Sequence, residues 1–475
     1  MIDMRLAEVA AVTGGRLHRA SGAERVTAVE FDSRSAGPGT LFLTLPGARA
    51  DGHDFVPAVL AAGAAGVLTA RELDAPSVIV ARMPRAAGTY LGATDSDGCG
   101  AGVLAALAAL AGHQVANLPG LRVVGITGSA GKTSTKDLVA EVLAPLGPLV
   151  APPGSFNTEL GLPWTALRAD AATRILVLEY SARGAGHIAG LARVVTPDVA
   201  VVLNVGTAHL GEFGSVEGIA AAKGELVEAL SAGGVAVLNG DDPNVAAMAA
   251  RTAGRVVLTG RAPHAQVRAE SVVLEAGRAR FTLVTPQGRA PVALRLVGEH
   301  HVANALAAAA VAGELGTGVE QVAARLSAAA PVSRWRMEVT ERADGVTVVN
   351  DAYNANPDSM RAGLHALAAL GAGRRTWAVL GPMSELGTAV DAAYADVADT
   401  ARRTGVAELV AVGGTGYAAT FPGTREVADV DAAVALLRDA LRPGDVVLVK
   451  GARAAGLERV AAGLLAGPTP GETLR

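Results

Sequence analysis

One glycine-rich segment of the chain carries the residue types that bind phosphate. It follows the apolar run 121–127 and reads Gly128, Ser129, Ala130, Gly131, Lys132, Thr133 and Ser134. Apolar residues on helical spacing predict a helix over 136–146 after it, so the segment should link a strand to the start of a helix. Backbone N–H groups and the helix N-terminus there favour phosphate oxygens. Lys132 would then reach the β- and γ-phosphates of ATP, and the Thr133 hydroxyl would bind Mg²⁺.

The segment departs from the usual phosphate-loop pattern at its first glycine. Ile126 stands five positions before Gly131, where that pattern has glycine, and the nearest glycine is Gly125. The departure argues against an ordinary GTPase or kinase and favours a shorter variant of the loop. The alternative is a glycine-rich turn with a solvated lysine, which the flanking strand and helix disfavour.

Three further side chains have the chemistry of metal ligands or catalytic groups. Glu179 follows the apolar strand 175–178, so it should stand at the carboxyl edge of the sheet, where its oxygen would suit Mg²⁺. His209 lies in a loop after another apolar run and could be a second ligand. Lys223 lies in a helix predicted to be capped by Ser215. Read singly, each has an ordinary alternative: a surface glutamate, a loop histidine and a solvated lysine.

Composition excludes several classes of protein. A chain of 475 residues suggests about three domains. Aromatic residues make up 3% and the net charge is -4, which argues against a nucleic-acid partner. The single cysteine, Cys99, cannot form an intramolecular disulfide and fits a reducing cytoplasm. We expect no export signal and no apolar run long enough to span a bilayer, because 101–112 reads as a short helix.

The order of the apolar runs predicts an α/β protein of three domains. Residues 1–90 alternate short strands with turns, which describes a small mixed α/β domain. Residues 91–118 are rich in Gly and Ala and predict a linker. In 119–331, continuous apolar strands alternate with helices, as in a P-loop-type mononucleotide-binding domain with a mostly parallel sheet. The same alternation in 332–475 predicts a Rossmann-like domain.

Together these elements resemble the Mur ligase family over nearly the whole chain. The likeness rests on the loop 127–134, on Glu179, on the histidine that ends 204–209, and on Lys223 in its helix. In that family the residue matching Lys223 is carbamylated by CO₂, which turns a cation into an anionic oxygen donor. The resemblance therefore implies ATP and a magnesium site formed by Thr133, Glu179, His209 and carbamylated Lys223.

Further segments are similar to the branch of the family that adds D-alanyl-D-alanine to a UDP-muramoyl tripeptide. The most specific is 351–360, which begins Asp-Ala-Tyr-Asn-Ala-Asn-Pro-Asp. On the nucleotide side, the resemblance implies that Asn304 and Asp351 contact the adenosine and that Arg336 crosses from the last domain to the phosphates. His301 stands where the family often has Asn or Gln, so one contact to adenine is left open.

On the substrate side, the resemblance implies contacts from all three domains. The residues concerned are Ser33, Arg34, Asn157, Asn354, Asn356 and Asp358. The first two would hold the uridine nucleotide, although a salt bridge within a turn competes as an explanation. The last three would face the peptide.

The implied reaction phosphorylates a carboxylate with ATP and then joins the acyl group to an amine, in a cytoplasmic step of peptidoglycan precursor synthesis. Its catalytic groups would be Lys132, Glu179, His209, Lys223 and Arg336. One alternative is another carboxylate-amine ligase of the family, which adds a single amino acid or acts in secondary metabolism. A non-catalytic nucleotide-binding module is the other, and the presence of all five groups argues against it. We expect a monomer, and no pattern sets the third residue of the peptide.

Overall fold

The computed structural model describes residues 1, 3–84, 91–92, 94–207, 210–384, 386 and 390–466. They form three larger sheets that follow one another along the chain, each with its own helices. The predicted three-domain α/β architecture is therefore confirmed. The exact boundaries proposed for the domains and the linker stay predictions.

The first domain is a small mixed α/β unit. Its elements are β1 (Met4–Arg5), α1 (Leu6–Thr13), β2 (Arg16–His18), β3 (Arg25–Val26), β4 (Ala28–Glu30), β5 (Thr40–Leu43), α2 (Val56–Ala61), β6 (Gly66–Thr69) and β7 (Ser77–Ile79). The main sheet has the order β2-β7-β6-β5-β4 and is parallel except where β2 meets β7. β1 and β3 form a separate antiparallel pair.

Helix α3 (Cys99–Ala116) fills most of the predicted linker and corrects two expectations. It is 18 residues long, whereas the sequence predicted a short helix over 101–112. With this length and a mean hydropathy of 1.5, it is also long and apolar enough to cross a membrane, which the sequence analysis did not expect. Within the protein, however, 56% of this helix is buried. It packs against α1 of the first domain and against the helix Gly161–Ala166 of the middle domain. The run is apolar because it forms part of a core between two domains.

The middle domain has a nine-stranded sheet. Its elements are β8 (Arg122–Thr127), α4 (Lys132–Leu143), β9 (Leu149–Val150), α5 (Gly161–Ala166), β10 (Ile175–Glu179), α6 (His187–Val194), β11 (Val199–Val202), α7 (Leu210–Phe213), α8 (Val216–Glu228), β12 (Val235–Asn239), α9 (Pro243–Ala246), β13 (Arg255–Gly260), β14 (Val267–Glu275), β15 (Arg278–Thr285), β16 (Gly288–Val297), α10 (His301–Glu314) and α11 (Val319–Ala328). The order is β16-β15-β14-β13-β12-β11-β8-β10-β9. The strands from β9 to β14 are parallel, and β15 and β16 extend the sheet as an antiparallel hairpin.

The last domain has a six-stranded sheet. Its elements are β17 (Glu338–Glu341), β18 (Thr347–Asn350), α12 (Pro357–Leu370), β19 (Thr376–Leu380), α13 (Val390–Arg403), β20 (Glu408–Val412), β21 (Arg425–Val427), α14 (Val430–Ala440), β22 (Val446–Lys450) and α15 (Glu458–Leu465). The order is β17-β18-β22-β19-β20-β21, parallel except where β17 meets β18. The loop that follows the carboxyl end of β18 contacts the middle domain, where the Asn356 amide donates to the Ser129 carbonyl at 3.5 Å. Ligands bind at this end of the strands in sheets of this kind.

Candidate active site

The phosphate loop connects β8 to α4, which begins at Lys132 and not at the predicted residue 136. Gly131 has a φ of 84°, and a Cβ there would lie 2.7 Å from the Asn304 side-chain oxygen, so this position requires glycine. Lys132 Nζ donates a hydrogen bond of 2.6 Å to the carbonyl of Gly128. Gly125 has a different role, because a Cβ there would meet the Tyr180 ring at 2.8 Å. The unusual glycine spacing thus has two causes: Gly125 is needed for packing against Tyr180, and the phosphate loop itself is short.

Asn204, two residues beyond the end of β11, holds the phosphate loop. Its backbone carbonyl accepts from Ser129 N at 3.2 Å and its side-chain oxygen accepts from Ala130 N at 2.9 Å. The Asn204 amide donates to the Ala130 carbonyl at 3.1 Å. These bonds use two amides of the loop. The N–H groups in the first turn of α4 have no intrahelical partners and are the donors left for phosphate oxygens.

Glu179 ends β10, where it pairs in register with Ile126 of β8 beside the phosphate loop. The side chain is completely buried, and Oε2 accepts from the Asn157 amide at 3.1 Å. Among the described residues, Oε1 has no hydrogen-bond partner. A buried carboxylate oxygen without a partner is costly unless a cation or a ligand satisfies it. Glu179 therefore fits a hard metal ion such as Mg²⁺.

Lys223 lies on α8, whose N-cap is Ser215, as predicted; Ser215 Oγ accepts from Gly218 N at 3.1 Å. Lys223 is buried, and burial together with the charge of Lys132 lowers its pKa to about 7. His209, another ligand predicted from the sequence, lies outside the described residues. The described part of the chain contains no group of three or more His, Cys, Asp or Glu that could hold a metal. Among the described residues of this region, Glu179 and Thr133 carry side-chain oxygens of the kind that magnesium binds, whereas Lys223 carries an amine.

Arg336 reaches the phosphate loop from the segment that joins the middle and last domains. Its Nη2 donates to Thr133 Oγ1 at 3.3 Å, and its guanidinium lies 4.1 Å from the centroid of the Tyr353 ring. Its Nε is buried and has no partner among the described residues. Its neighbours Trp335 and Met337 have φ values of 59° and 50°, which are strained for side chains of this size. Arg336 therefore lies between two residues with unfavourable backbone conformations, a feature that is common at functional sites.

A cavity of about 190 Å³ lies beside the phosphate loop, between the middle and last domains. Asn304 and Asp351, the two predicted adenosine contacts, both line it. Asp351 is not a free acceptor, because Lys450 Nζ contacts its Oδ2 at 2.5 Å and Met337 N donates to its Oδ1 at 3.1 Å. His301 lies 3.3 Å from the Asn304 amide through Nδ1, and burial lowers its pKa, so the ring is neutral.

A larger cavity of about 930 Å³ opens in front of the phosphate loop, and all three domains line it. Of the predicted substrate contacts, Asn157, Asn354 and Asn356 lie on its wall. Ser33, Arg34 and Asp358 are not among its lining residues. Arg34 instead forms a two-point ion pair with Asp32, at 2.9 and 2.6 Å, which matches the turn salt bridge that the sequence left open. Asp358 contacts the middle domain, as described below.

Sequence reasoning missed the aromatic junction that fixes the first domain against the middle one. Phe31 lies 5.5 Å from Trp164 and Phe156 lies 4.9 Å from it, measured between ring centroids. Trp164 Nε1 donates to the carbonyl of Val29 at 3.0 Å. Phe31 and Phe156 also line the large cavity. Aromatic residues are scarce in this chain, and the signal available was that three of them cluster near candidate site residues.

The basic side chains on the wall of the large cavity were not predicted from the sequence either. Arg183, His187 and Arg453 line the cavity together with Lys132 and Arg336. Their excess over acidic groups makes the wall attractive to a substrate with several negative charges. Arg183 and His187 lie just beyond Glu179, so proximity to a strand end was the signal that could have found them.

A three-domain α/β chain whose phosphate loop, buried strand-end carboxylate and interdomain arginine surround one cavity has the organisation of an ATP-dependent ligase. Three family models match it: "Mur ligase family, catalytic domain" at residues 25–115, "Mur ligase middle domain" at 126–312 and "Mur ligase, glutamate ligase domain" at 335–453. The chain belongs to the Mur ligase family.

Particular relatives narrow the likeness to one branch of this family. The UDP-N-acetylmuramoyl-tripeptide--D-alanyl-D-alanine ligase of Mycobacterium tuberculosis H37Rv is 54% identical, with 99% of each chain covered. The enzyme of the same name from Escherichia coli K12 is 33% identical, with 97% of this chain and 98% of that one covered.

Solved structures agree with this likeness. A crystal structure of MurF from Acinetobacter baumannii superposes with a TM-score of 0.84 at 29% identity, covering 98% of this chain and 99% of that one. MurF from Thermotoga maritima, solved in complex with ADP, gives a TM-score of 0.77 at 27% identity, covering 92% and 96%. The predicted family, fold and use of ATP are confirmed.

Proposed function

We propose that this chain joins D-alanyl-D-alanine to UDP-N-acetylmuramoyl-tripeptide with ATP, in peptidoglycan precursor synthesis. The observation that carries the proposal is the cavity of about 930 Å³, to which all three domains contribute and which includes the phosphate loop and Arg336. A ligase must hold a nucleotide, an acyl donor and an amine together, and this cavity joins the phosphate loop to walls from all three domains that carry more basic than acidic side chains. The mycobacterial and E. coli relatives of that name cover the chain almost completely.

The chemistry begins with activation of a carboxylate. A carboxylate oxygen of the tripeptide attacks the γ-phosphorus of ATP, the bond to the β-phosphate oxygen breaks, and an acyl phosphate and ADP result. The neutral amine then adds to the acyl carbon, inorganic phosphate leaves, and the amine loses a proton. Lys132 bonds the phosphate loop at the Gly128 carbonyl and Arg336 bonds it at the Thr133 hydroxyl, so both charges would oppose the negative charge that develops on the transferred group.

The residues around Glu179 fit a magnesium ion. Bound there, Mg²⁺ would neutralise phosphate charge and orient the transferred group. Glu179 offers its unpartnered Oε1, Asn157 fixes the other oxygen of that carboxylate, and Thr133 offers a hydroxyl at the start of α4. We assign His209 to the same site by its place in the sequence.

We also propose that Lys223 carries a carbamate. A neutral Nζ attacks the carbon of CO₂ and loses a proton, which leaves an anionic carbamate that can bind a cation. The reaction requires the uncharged amine, and the lowered pKa of Lys223, about 7, supplies it near neutral pH. The modification also removes a buried positive charge next to Lys132, which is unfavourable in the unmodified protein.

The acyl substrate and the amine occupy the large cavity in this proposal. The uridine nucleotide binds toward the first domain near Phe31, while the peptide carboxylates meet the basic wall formed by Arg183, His187 and Arg453. Asn354 and Asn356 face the peptide from the last domain. We place the enzyme in the cytoplasm, where its nucleotide substrates are available. We also propose that it acts as a monomer.

Mass spectrometry of the reaction product tests the proposal. Purified protein is incubated with MgATP, UDP-N-acetylmuramoyl-tripeptide and either D-alanyl-D-alanine or single amino acids. A product larger by one D-alanyl-D-alanine minus water, formed with release of phosphate, is expected only with the dipeptide. Lys132→Ala is the matched control and should form none. Equal turnover with a single amino acid would favour a different ligase of the family.

A further inference from the structure

The loop 204–207 links the phosphate loop to the last domain. On the phosphate side, Gly206 N donates to Ser129 Oγ at 2.9 Å. Asn204 holds the amides of Ser129 and Ala130, as described above. The geometry of the phosphate loop therefore depends on where this loop lies.

On the other side, the loop is held by the first turn of α12. Asp358 Oδ2 accepts from Thr207 N at 2.7 Å and from Thr207 Oγ1 at 3.3 Å. Arg361 contacts the other oxygen of Asp358 and also contacts Asp396, which orients the carboxylate. A charged acceptor on a backbone N–H forms a strong hydrogen bond. One carboxylate of the last domain thus fixes a backbone segment of the middle domain.

Gly206 of this loop lies very close to the carboxylate of Asp358. A Cβ built on Gly206 would collide with the carboxylate of Asp358, lying 2.7 Å from its Cγ, and all three nearest atoms belong to Asp358. The backbone of Gly206 does not require glycine, because its φ lies outside the left-handed region. A methyl group at Gly206 is therefore excluded by the docked carboxylate and not by the fold of the loop.

We propose that Asp358 is a positioning residue for the ligase reaction. When the last domain docks, its carboxylate sets the loop 204–207, and this loop sets Ser129 and Ala130 of the phosphate loop. Phosphoryl transfer is thereby coupled to docking of the last domain. This inference rests on the proposed function for its assay, and it replaces the predicted peptide contact of Asp358 with a contact between domains.

A double-mutant cycle tests the coupling through kcat and KM. Asp358→Ala should lower kcat about tenfold or more and change KM for ATP less than about twofold, because misplaced groups affect the reacting geometry. Gly206→Ala should give a similar loss. Both substitutions disrupt the same contact between Asp358 and the loop 204–207, so kcat of the double variant should be no more than about twofold below that of either single variant. Asp358→Asn keeps an acceptor for Thr207 N and should recover most of the activity.

The controls separate this effect from general damage. Within the part of the chain that the structure describes, Gly233→Ala adds a methyl group with no atom within 4 Å, and Asp399→Ala removes a carboxylate whose bonds are to Arg402 and Arg403 of its own helix. Both should keep the wild-type kcat. In hydrogen exchange with ADP bound, segment 203–207 should exchange faster in Asp358→Ala and Gly206→Ala than in wild type or Asp358→Asn.

Several results would overturn the inference. These are an unchanged kcat in Asp358→Ala, losses that multiply in the double variant, or equal exchange of segment 203–207 in all variants. If Asp358→Ala fails to fold, Gly206→Ala compared with Gly233→Ala decides the question. A wild-type enzyme that is inactive with D-alanyl-D-alanine would count against the proposed function instead, and the exchange measurement would still report on the coupling.

Discussion

The buried amine of Lys223 leads to a quantitative prediction about carbon dioxide. An ordinary lysine has a pKa of 10.5, whereas burial and the charge of Lys132 lower the pKa of Lys223 to about 7. At pH 7, about half of the Lys223 side chains are then neutral, against about one in 3,000 for an ordinary lysine. The environment therefore raises the concentration of the reactive amine about a thousandfold.

The perturbation is removal and return of CO₂ at different pH values. Enzyme depleted of CO₂ should lose most of its ligase activity and regain it when CO₂ is restored. At a fixed concentration of dissolved CO₂, the initial rate of recovery should follow the neutral fraction of Lys223. That fraction rises from about one tenth at pH 6 to about nine tenths at pH 8, so recovery should be about tenfold faster at pH 8.

The assay measures phosphate release after timed exposure to CO₂ at each pH, followed by dilution into one common buffer. NMR with CO₂ labelled in its carbon should detect the carbamate in parallel. Lys223→Arg provides the control, because its guanidinium stays protonated and its low activity should not respond to CO₂. Recovery at the same rate at pH 6 and pH 8, or full activity without CO₂, would refute the reasoning.

Four further predictions concern the site and its support. Lys132→Ala should abolish turnover while leaving the melting temperature within a few degrees, checked by phosphate release and calorimetry. Glu179→Gln should raise the Mg²⁺ concentration for half-maximal activity at least about tenfold, measured by metal titration. Gly161→Ala should destabilise the fold by about 1–3 kcal/mol, because its Cβ would meet the Phe156 backbone at 2.6 Å; denaturant unfolding tests this. In CO₂-free buffer, wild type should lose stability relative to Lys223→Met as pH falls from about 10 to 7, because the unfolded chain binds more protons in that range.

Local patterns in the sequence predicted the framework of the site. The phosphate loop, the strand that ends at Glu179 and the Ser215 cap all depend on residues close together in the chain. Hydrophobic periodicity and capping chemistry act over a few residues, so such features can be read without a structure. The ends of elements were less certain, as the early start of α4 and the length of α3 show.

Contacts between distant residues could not be read in the same way. The resemblance implied a peptide contact for Asp358, but no local pattern indicated its hydrogen bond with Thr207, which is 151 positions away. The strained backbone on either side of Arg336 gives no local signal, because tertiary packing imposes it on residues that rarely adopt it.

The sequence by itself determined the class of chemistry, since a loop of Gly, Lys and Thr between a strand and a helix can bind little else than phosphate. It also determined the alternation of strands and helices from which three α/β domains follow. Tertiary structure alone decided the state of the chemical groups. Burial lowers the pKa of Lys223 and leaves an oxygen of Glu179 without a partner, and both effects arise from the loss of water around groups that folding brings together.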